Sequence, residues 1–271
     1  MKTNIILIFF IFFVALFNES CKKSEGTPDP IIPPPVQPVF SYGDSVFYQK
    51  QQSNDYVVTP TNSLTGKYIS FPDGLVIDGN TGAINVTKSE TGLKYMVAFI
   101  PGGGTDTAFG FVTLSGINYM DGFYVLSGKD SIAYAVYNSQ PGTTIPNLNN
   151  GSLFDVGANC NSQGCTVNTN NAAINLAQTV RNGVFGATPS NNDRHEFDLN
   201  YQINDKSNLA ANKLKVKLYY FKTMSDVTPE AYDIINTRQG TIISQSNTVP
   251  SSALISTAAK PRPPCIFIVG R

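Results

Sequence analysis

The one histidine of the chain, His195, sits in the run Asn191-Asn192-Asp193-Arg194-His195-Glu196-Phe197-Asp198-Leu199. Any serine or cysteine nucleophile that works through an imidazole base would have to use it. Three carboxylates, Asp193, Glu196 and Asp198, lie within the same run, and a pair of carboxylates is what glycoside hydrolysis requires. If the strand that follows extends back to residue 196, Glu196 and Asp198 share one side, opposite Phe197 and Leu199. They then face water as a charged outer surface, with His195 in a solvated turn. No catalytic set of residues is assembled, and no catalytic residue is expected. A second candidate is Asp78-Gly79-Asn80-Thr81-Gly82-Ala83. Read as a calcium loop from Asp78, it offers Asn80 at the third position but fails at Gly82, Ala83 and Ser89. Asp78 and Asn80 read better as turn residues, and a calcium site at a domain junction stays as the lesser alternative. Gly102-Gly103-Gly104 lacks phosphate-cradle spacing and reads as a hairpin loop.

These residues need a body to position them, and the composition indicates its type. Lys and Arg total 19, Asp and Glu 19, and charged residues make up only 14% of the chain. A balanced, sparse charge gives no field for nucleic acid. With 13 Tyr, 17 Phe and 22 Gly, the chain has the make-up of an exported β-protein.

The beginning of the chain supports export. After Lys2 come thirteen unbroken apolar residues, Ile5 to Phe17, the length of a secretory signal core and short of the ~20 needed to span a bilayer. The tract ends Asn18-Glu19-Ser20-Cys21-Lys22-Lys23. That ending resembles the lipobox of bacterial lipoproteins, in the loose form found in the Bacteroidota, although Asn18 and Glu19 depart from the usual Leu and small residue. The resemblance implies a signal peptide over 1–20, lipidation of Cys21 and anchorage in the outer membrane, with the periplasmic or surface face left open. Diacylglycerol plus an amide-linked chain would hold at ~0.8 kcal/mol per buried CH₂. Residues 22–38 hold six prolines and no aromatic, so 21–38 reads as a lipidated stalk of about 50 Å at ~3.1 Å per residue.

In such an oxidising compartment, Cys160-Asn-Ser-Gln-Gly-Cys165 predicts a Cys160–Cys165 disulfide. The alternative pairs Cys265 with either of them. Three thiols and a distant histidine make a poor zinc site, so no metal and no cofactor are expected.

The segment from Tyr68 to Pro101 alternates turns and strands. Its arrangement Pro72-x-Gly74-Leu75-x-Ile77-Asp78-x-x-Thr81-Gly82-x-Ile84, then Gly92-x-x-Tyr95-x-Val97, resembles Ig-like and cadherin-like domains of bacterial surface proteins. The resemblance implies two hairpins of a β-sandwich over 39–115. The rest, 116–271, predicts a second β-rich module, sandwich or barrel-like, with one or two short helices. Glu196–Ile203 and Leu214–Phe221 alternate as half-buried strands, and Cys265–Val269 and Thr241–Ser244 read as the last strands. Helices are expected over Asn171–Asn182 and Pro229–Thr237. No clean internal repeat is apparent.

The expected function is therefore a membrane-anchored envelope lipoprotein that binds or scaffolds without catalysis. A glycan or a surface protein is the expected partner. The alternative is a hydrolase of polysaccharide or peptidoglycan using Glu196 or Asp198. Tyr42, Tyr48, Tyr119, Tyr124, Tyr219 and Tyr220 are candidate sugar platforms, or else strand residues packing a sandwich. Members of the Bacteroidota carry O-glycans at Asp-Ser/Thr-apolar triplets, which makes Ser45, Thr107 and Ser131 candidates.

Overall fold

The computed structural model describes residues 40–62, 64–103, 107–128, 131–238 and 264–270. The signal peptide, Cys21, the stalk, Asp106, Asp130 and the expected strand Thr241–Ser244 lie outside them.

The chain is mainly β, with two modules. In the first, a four-stranded sheet runs in the order β1-β6-β5-β3. Its strands are β1 (Val46–Phe47), β6 (Ala108–Leu114), β5 (Leu93–Pro101) and β3 (Gly66–Phe71). The pair β1–β6 is parallel, while β5 runs antiparallel to both β6 and β3. A two-stranded ribbon, β2 (Val57–Val58) with β4 (Ile84–Asn85), forms the second layer. Alternation along β5 puts Leu93, Tyr95, Val97 and Phe99 into the core with Tyr68, Ile84, Val86, Val112 and Leu114. This is an Ig-like sandwich, in which β1 covers only Val46–Phe47 and Ile77 makes a single bridge to Ile84.

In the second module a five-stranded sheet has the order β11-β13-β14-β15-β8. These strands are β11 (Leu153–Phe154), β13 (Asp193–Gln202), β14 (Ala211–Phe221), β15 (Cys265–Val269) and β8 (Gly122–Val125). Two ribbons cover one face: β7 (Gly116–Tyr119) with β10 (Ala135–Asn138), and β9 (Ile132–Ala133) with β12 (Ile174–Asn175). The short helices α1 (Asn159–Ser162) and α2 (Leu176–Arg181) belong to the same side. The expected helix from Asn171 is thus shorter, because residues 168–175 close a turn instead. The third helix, α3 (Pro229–Arg238), starts at the expected proline. Its Ala231 and Ile234, with Val227 just before it, pack a separate small core with Tyr219, Phe221, Phe267 and Val269.

The run Cys-Ile-Phe-Ile-Val of β15 is buried at every position. It lies parallel to β14 on one side and to β8 on the other, and a strand buried on both faces reads as a continuous apolar run. Ile266 and Ile268 join the main core, while Cys265, Phe267 and Val269 join the small one.

The two modules share a local plan that the sequence reading missed. Asp78 N donates to Ala83 O and Gly82 N to Asp78 O. Asn168 N to Ala173 O and Ala172 N to Asn168 O reproduce both bonds, ninety residues later and all at 2.8 Å. The match continues outward. Lys88 N and Gln178 N donate to the Asn85 and Asn175 side chains, and Val76 N and Thr166 N to the Ser89 and Thr179 hydroxyls. Isolated bridges Ile77–Ile84 and Val167–Ile174 complete the pair. The central turn needs a left-handed residue, supplied by Gly82 at φ 72° and by Ala172 at φ 60°.

Candidate functional site

The outer face of the five-stranded sheet changes character along its length. One half carries Glu196 and Asp198 on β13 opposite Lys215 and Lys217 on β14, as the strand alternation requires. Lys217 approaches Glu196 at 3.0 Å, Lys215 approaches Asp198 at 3.2 Å and Glu196 at 3.6 Å, and Lys213 reaches Asp198 at 3.4 Å. Lys217 beside Glu196 holds its carboxyl below the ordinary carboxylate value. Burial pushes Asp198 up, and Lys215 with Lys213 overcome that push, so it too is lowered. A general acid of a glycosidase needs the opposite shift. The expected outward placement of Glu196 and Asp198 is therefore what the structure shows, in a ladder of ion pairs.

His195 lies on β13 level with Leu218, its ring 4.7 Å from that of Phe197. Asp193 accepts from Ser190 N at 2.6 Å, closing the turn that leads into the strand. Arg194 is ion-paired with Glu230 on α3 at 2.7 Å and lies over the Tyr219 ring at 4.9 Å.

The tyrosines divide differently from the platform expectation. Tyr42, Tyr119 and Tyr219 are buried, and Tyr48, Tyr124 and Tyr220 are half-buried. Tyr119 donates to Ala172 O, Tyr219 stacks on Phe267 at 4.6 Å, and Tyr220 lies 5.7 Å from Phe185. They are packing residues, and of Tyr219 and Tyr220 neither stands free on a sheet face.

Cys160 and Cys165 are free thiols in this structure, so the expected Cys160–Cys165 disulfide is not formed in it. The loop does bring those two together. Asp155, buried and at φ 53°, accepts from Cys160 N and Asn161 N, and Cys165 N donates to Cys160 O at 3.0 Å. A hydrogen bond with the Cys165 thiol, with burial second, pushes the Cys160 thiol far up. Cys265 belongs to the other face of the sheet, which rules out the alternative pairing with it: a sheet separates the sulfurs.

At Asp78 the carboxylate accepts from Asn80 N and Thr81 N, both at 2.8 Å, and those bonds, Thr81 first, lower it. It acts as a turn residue. Among the described residues no group of three or more His, Cys, Asp or Glu is placed to hold a metal. Ser45 is exposed, and Asp44 bonds its backbone N–H at 2.7 Å. Thr107 and Ser131 are half-buried.

What sequence reading did not find is a groove of about 690 Å³ where the modules meet. The first module contributes Gln49, Lys88 and Glu90, and the second Asn200, Gln202, Asn212 and the Lys213–Lys215 stretch. Its lining residues Glu90, Tyr201 and Asn212 belong to a polar seam between the modules. Thr91 Oγ1 and Tyr201 OH are 2.7 Å apart, Asn212 Nδ2 donates to Thr91 Oγ1 at 3.0 Å, and Asn118 Nδ2 donates to Glu90 Oε1 at 2.8 Å. Gly92 permits the approach, since a Cβ there would lie 2.4 Å from Ile117 O. No spacing rule could have joined residues from strands so far apart in the chain.

No protein-family model matches the chain, and no curated protein matches it. Among solved structures it is similar to Drosophila N-cadherin EC1-4, at 10% identity and a TM-score of 0.21, over 65% of this chain and 46% of that one. It is likewise similar to human protocadherin-24 EC1-2, at 10% identity and a TM-score of 0.21, over 68% of this chain and 96% of that one. The chain thus spans under half of the N-cadherin chain it matches, and its assignment to an Ig-like β fold stands on its own strand order.

Proposed function

We propose that this protein is a non-catalytic envelope lipoprotein that binds an extended polar ligand, such as a glycan, in the groove between its two modules. The observation that carries the reading is the groove itself. It presents amides and paired charges from both modules on a surface already fixed by hydrogen bonds, and preorganised polar groups are what fix the orientation of a bound ligand. Lipidation at Cys21 and the proline-rich stalk over 21–38 belong to the same reading, resting on the lipobox-like ending and on composition. Ser45 is the most accessible of the three O-glycan candidates. A Cys160–Cys165 disulfide belongs to this reading too; it would form by exchange with a disulfide-carrying oxidant, which takes up two electrons and two protons as it becomes two thiols.

The test is a glycan array with the purified chain, followed by titration of each hit against Asn200→Ala and Lys215→Ala. Binding that falls about tenfold, ~1.4 kcal/mol, in both variants supports the groove. An empty array, or hits that both variants leave untouched, overturns it. Membrane fractionation of Cys21→Ala tests the anchor separately. The hydrolase alternative needs turnover of polysaccharide that Glu196→Gln abolishes, and the lysine-held carboxylates argue against that outcome.

A further inference from the structure

We propose that β15 is an exchangeable strand, whose slot between β14 and β8 accepts the same strand from a second copy of this chain and so joins copies head to tail. The proposal goes beyond the binding reading and does not rest on it. It comes from comparing the two modules. In the first, β1 lies directly on β6, parallel to it. In the second, β8 holds the place of β1, yet β15 stands between it and β14, parallel to both. The first module shows that the plan closes without an added strand, so β15 occupies an inserted place between two strands whose counterparts β6 and β1 pair directly.

The covalent connection allows exchange. Residues 239–264 separate α3 from β15, a contour of at most ~90 Å at ~3.3–3.6 Å per residue. Strand exchange between protomers is a low-cost route to assembly, because the exchanged strand makes the same contacts in the other copy.

The slot also specifies what fits it. Ile266 and Ile268 enter the main core while Phe267 and Val269 enter the small one. Phe267 stacks on Tyr219 at 4.6 Å and lies 5.3 Å from Phe123. Asp121 Oδ1 accepts from Cys265 N at 2.6 Å. Lys217 N donates to Pro264 O, and Leu126 N to Val269 O, sealing both ends. A strand of other sequence would lose this two-faced match, so the occupant is a second copy of this chain. Because a donated strand leaves the donor's own slot open, the contact is heterologous and propagates.

The test mixes ordinary and heavy-nitrogen-labelled full-length protein in denaturant, refolds them together over a range of concentrations, and reads native mass spectra. The expected result is a ladder of mixed-isotope oligomers that lengthens with concentration. A synthetic peptide of residues 264–270, added in excess during refolding, is expected to be incorporated and to shorten the ladder to monomers. Adding Ile268→Asp chains, which keep the slot but carry a charged donor, is expected to cap it. Monomers at every concentration overturn the proposal, and so does a ladder that the peptide leaves unchanged, because another element then makes the contact. The peptide arm decides the matter even if Ile268→Asp does not fold.

Discussion

The first module sets the two residues of β1 directly against β6, whereas the second inserts the five-residue β15 between β14 and β8. The difference in burial is as large. On β1 Val46 is half-buried and Phe47 buried, while Ile266, Phe267, Ile268 and Val269 on β15 are all fully buried. At ~1.5–3 kcal/mol per buried large side chain, β15 carries a larger share of stability than β1. The two modules follow one plan, but they spread stability over it differently: the first relies on β5 at its centre, the second on a strand that reaches its place from far along the chain.

Substitution at that strand gives the largest expected effect. Ile268→Asp places an unpaired charge in a fully closed site and should cost about 4 kcal/mol or more, while Val46→Asp should cost under ~1 kcal/mol. Urea midpoints for the two variants would decide. Similar losses would mean that the two places carry equal load and would erase the contrast.

The shared turn gives the next effect. Gly82→Ala forces a Cβ to within 2.8 Å of Pro60 Cγ and Tyr68 Cε1 at φ 72°, and should cost ~2–3 kcal/mol. At the matching position Ala172→Gly relieves ~1–2 kcal/mol of left-handed strain and loses a buried methyl of similar worth, so a net change within ~1 kcal/mol is expected. Thermal unfolding of both checks this, and a large loss at Ala172 would show that its methyl is a packing element absent from the first copy.

At the seam, Tyr201→Phe removes the bond to Thr91 and should cost ~1 kcal/mol, with reduced amide-exchange protection in both modules. Protection lost in only one module would show that the seam does not couple them.

The smallest effect belongs to the ion-pair ladder. Glu196 and Asp198 titrate below their ordinary 4.5 and 3.8 in the folded chain. Their stabilisation is present above those values and lost as pH falls through the lowered ones. Exposed pairs contribute little, so Lys215→Ala should cost ~0.5 kcal/mol at low salt, and less as salt rises. Unfolding followed against pH and salt for wild type and variant checks the sign.

Where a strand has one wet face, the alternation revealed it. Phe197, Leu199 and Tyr201 against Glu196 and Asp198 gave β13 and its orientation, and the matching pattern of Leu214–Phe221 gave β14. The apolar run of β15 was visible as a strand, but nothing local names its neighbours, because a parallel pairing leaves no turn in the sequence. The repeat was written in Asn80, Ala83, Ile84 and Asn85 against Asn170, Ala173, Ile174 and Asn175. It stayed hidden because the second copy meets the left-handed turn with Ala172 rather than glycine. The groove was illegible for another reason: its polar residues look like ordinary strand exteriors until two distant strands face each other.

The parallel setting of β15 has a mechanical consequence. A pull transmitted through Gly270 acts along the strand's own axis, and both neighbours run in the same direction. The evenly spaced, slanted bonds of a parallel pair then share the load together, so the strand must shear past β14 and β8 rather than peel away rung by rung. The strand can therefore bear tension along its axis while remaining open to slow exchange at rest.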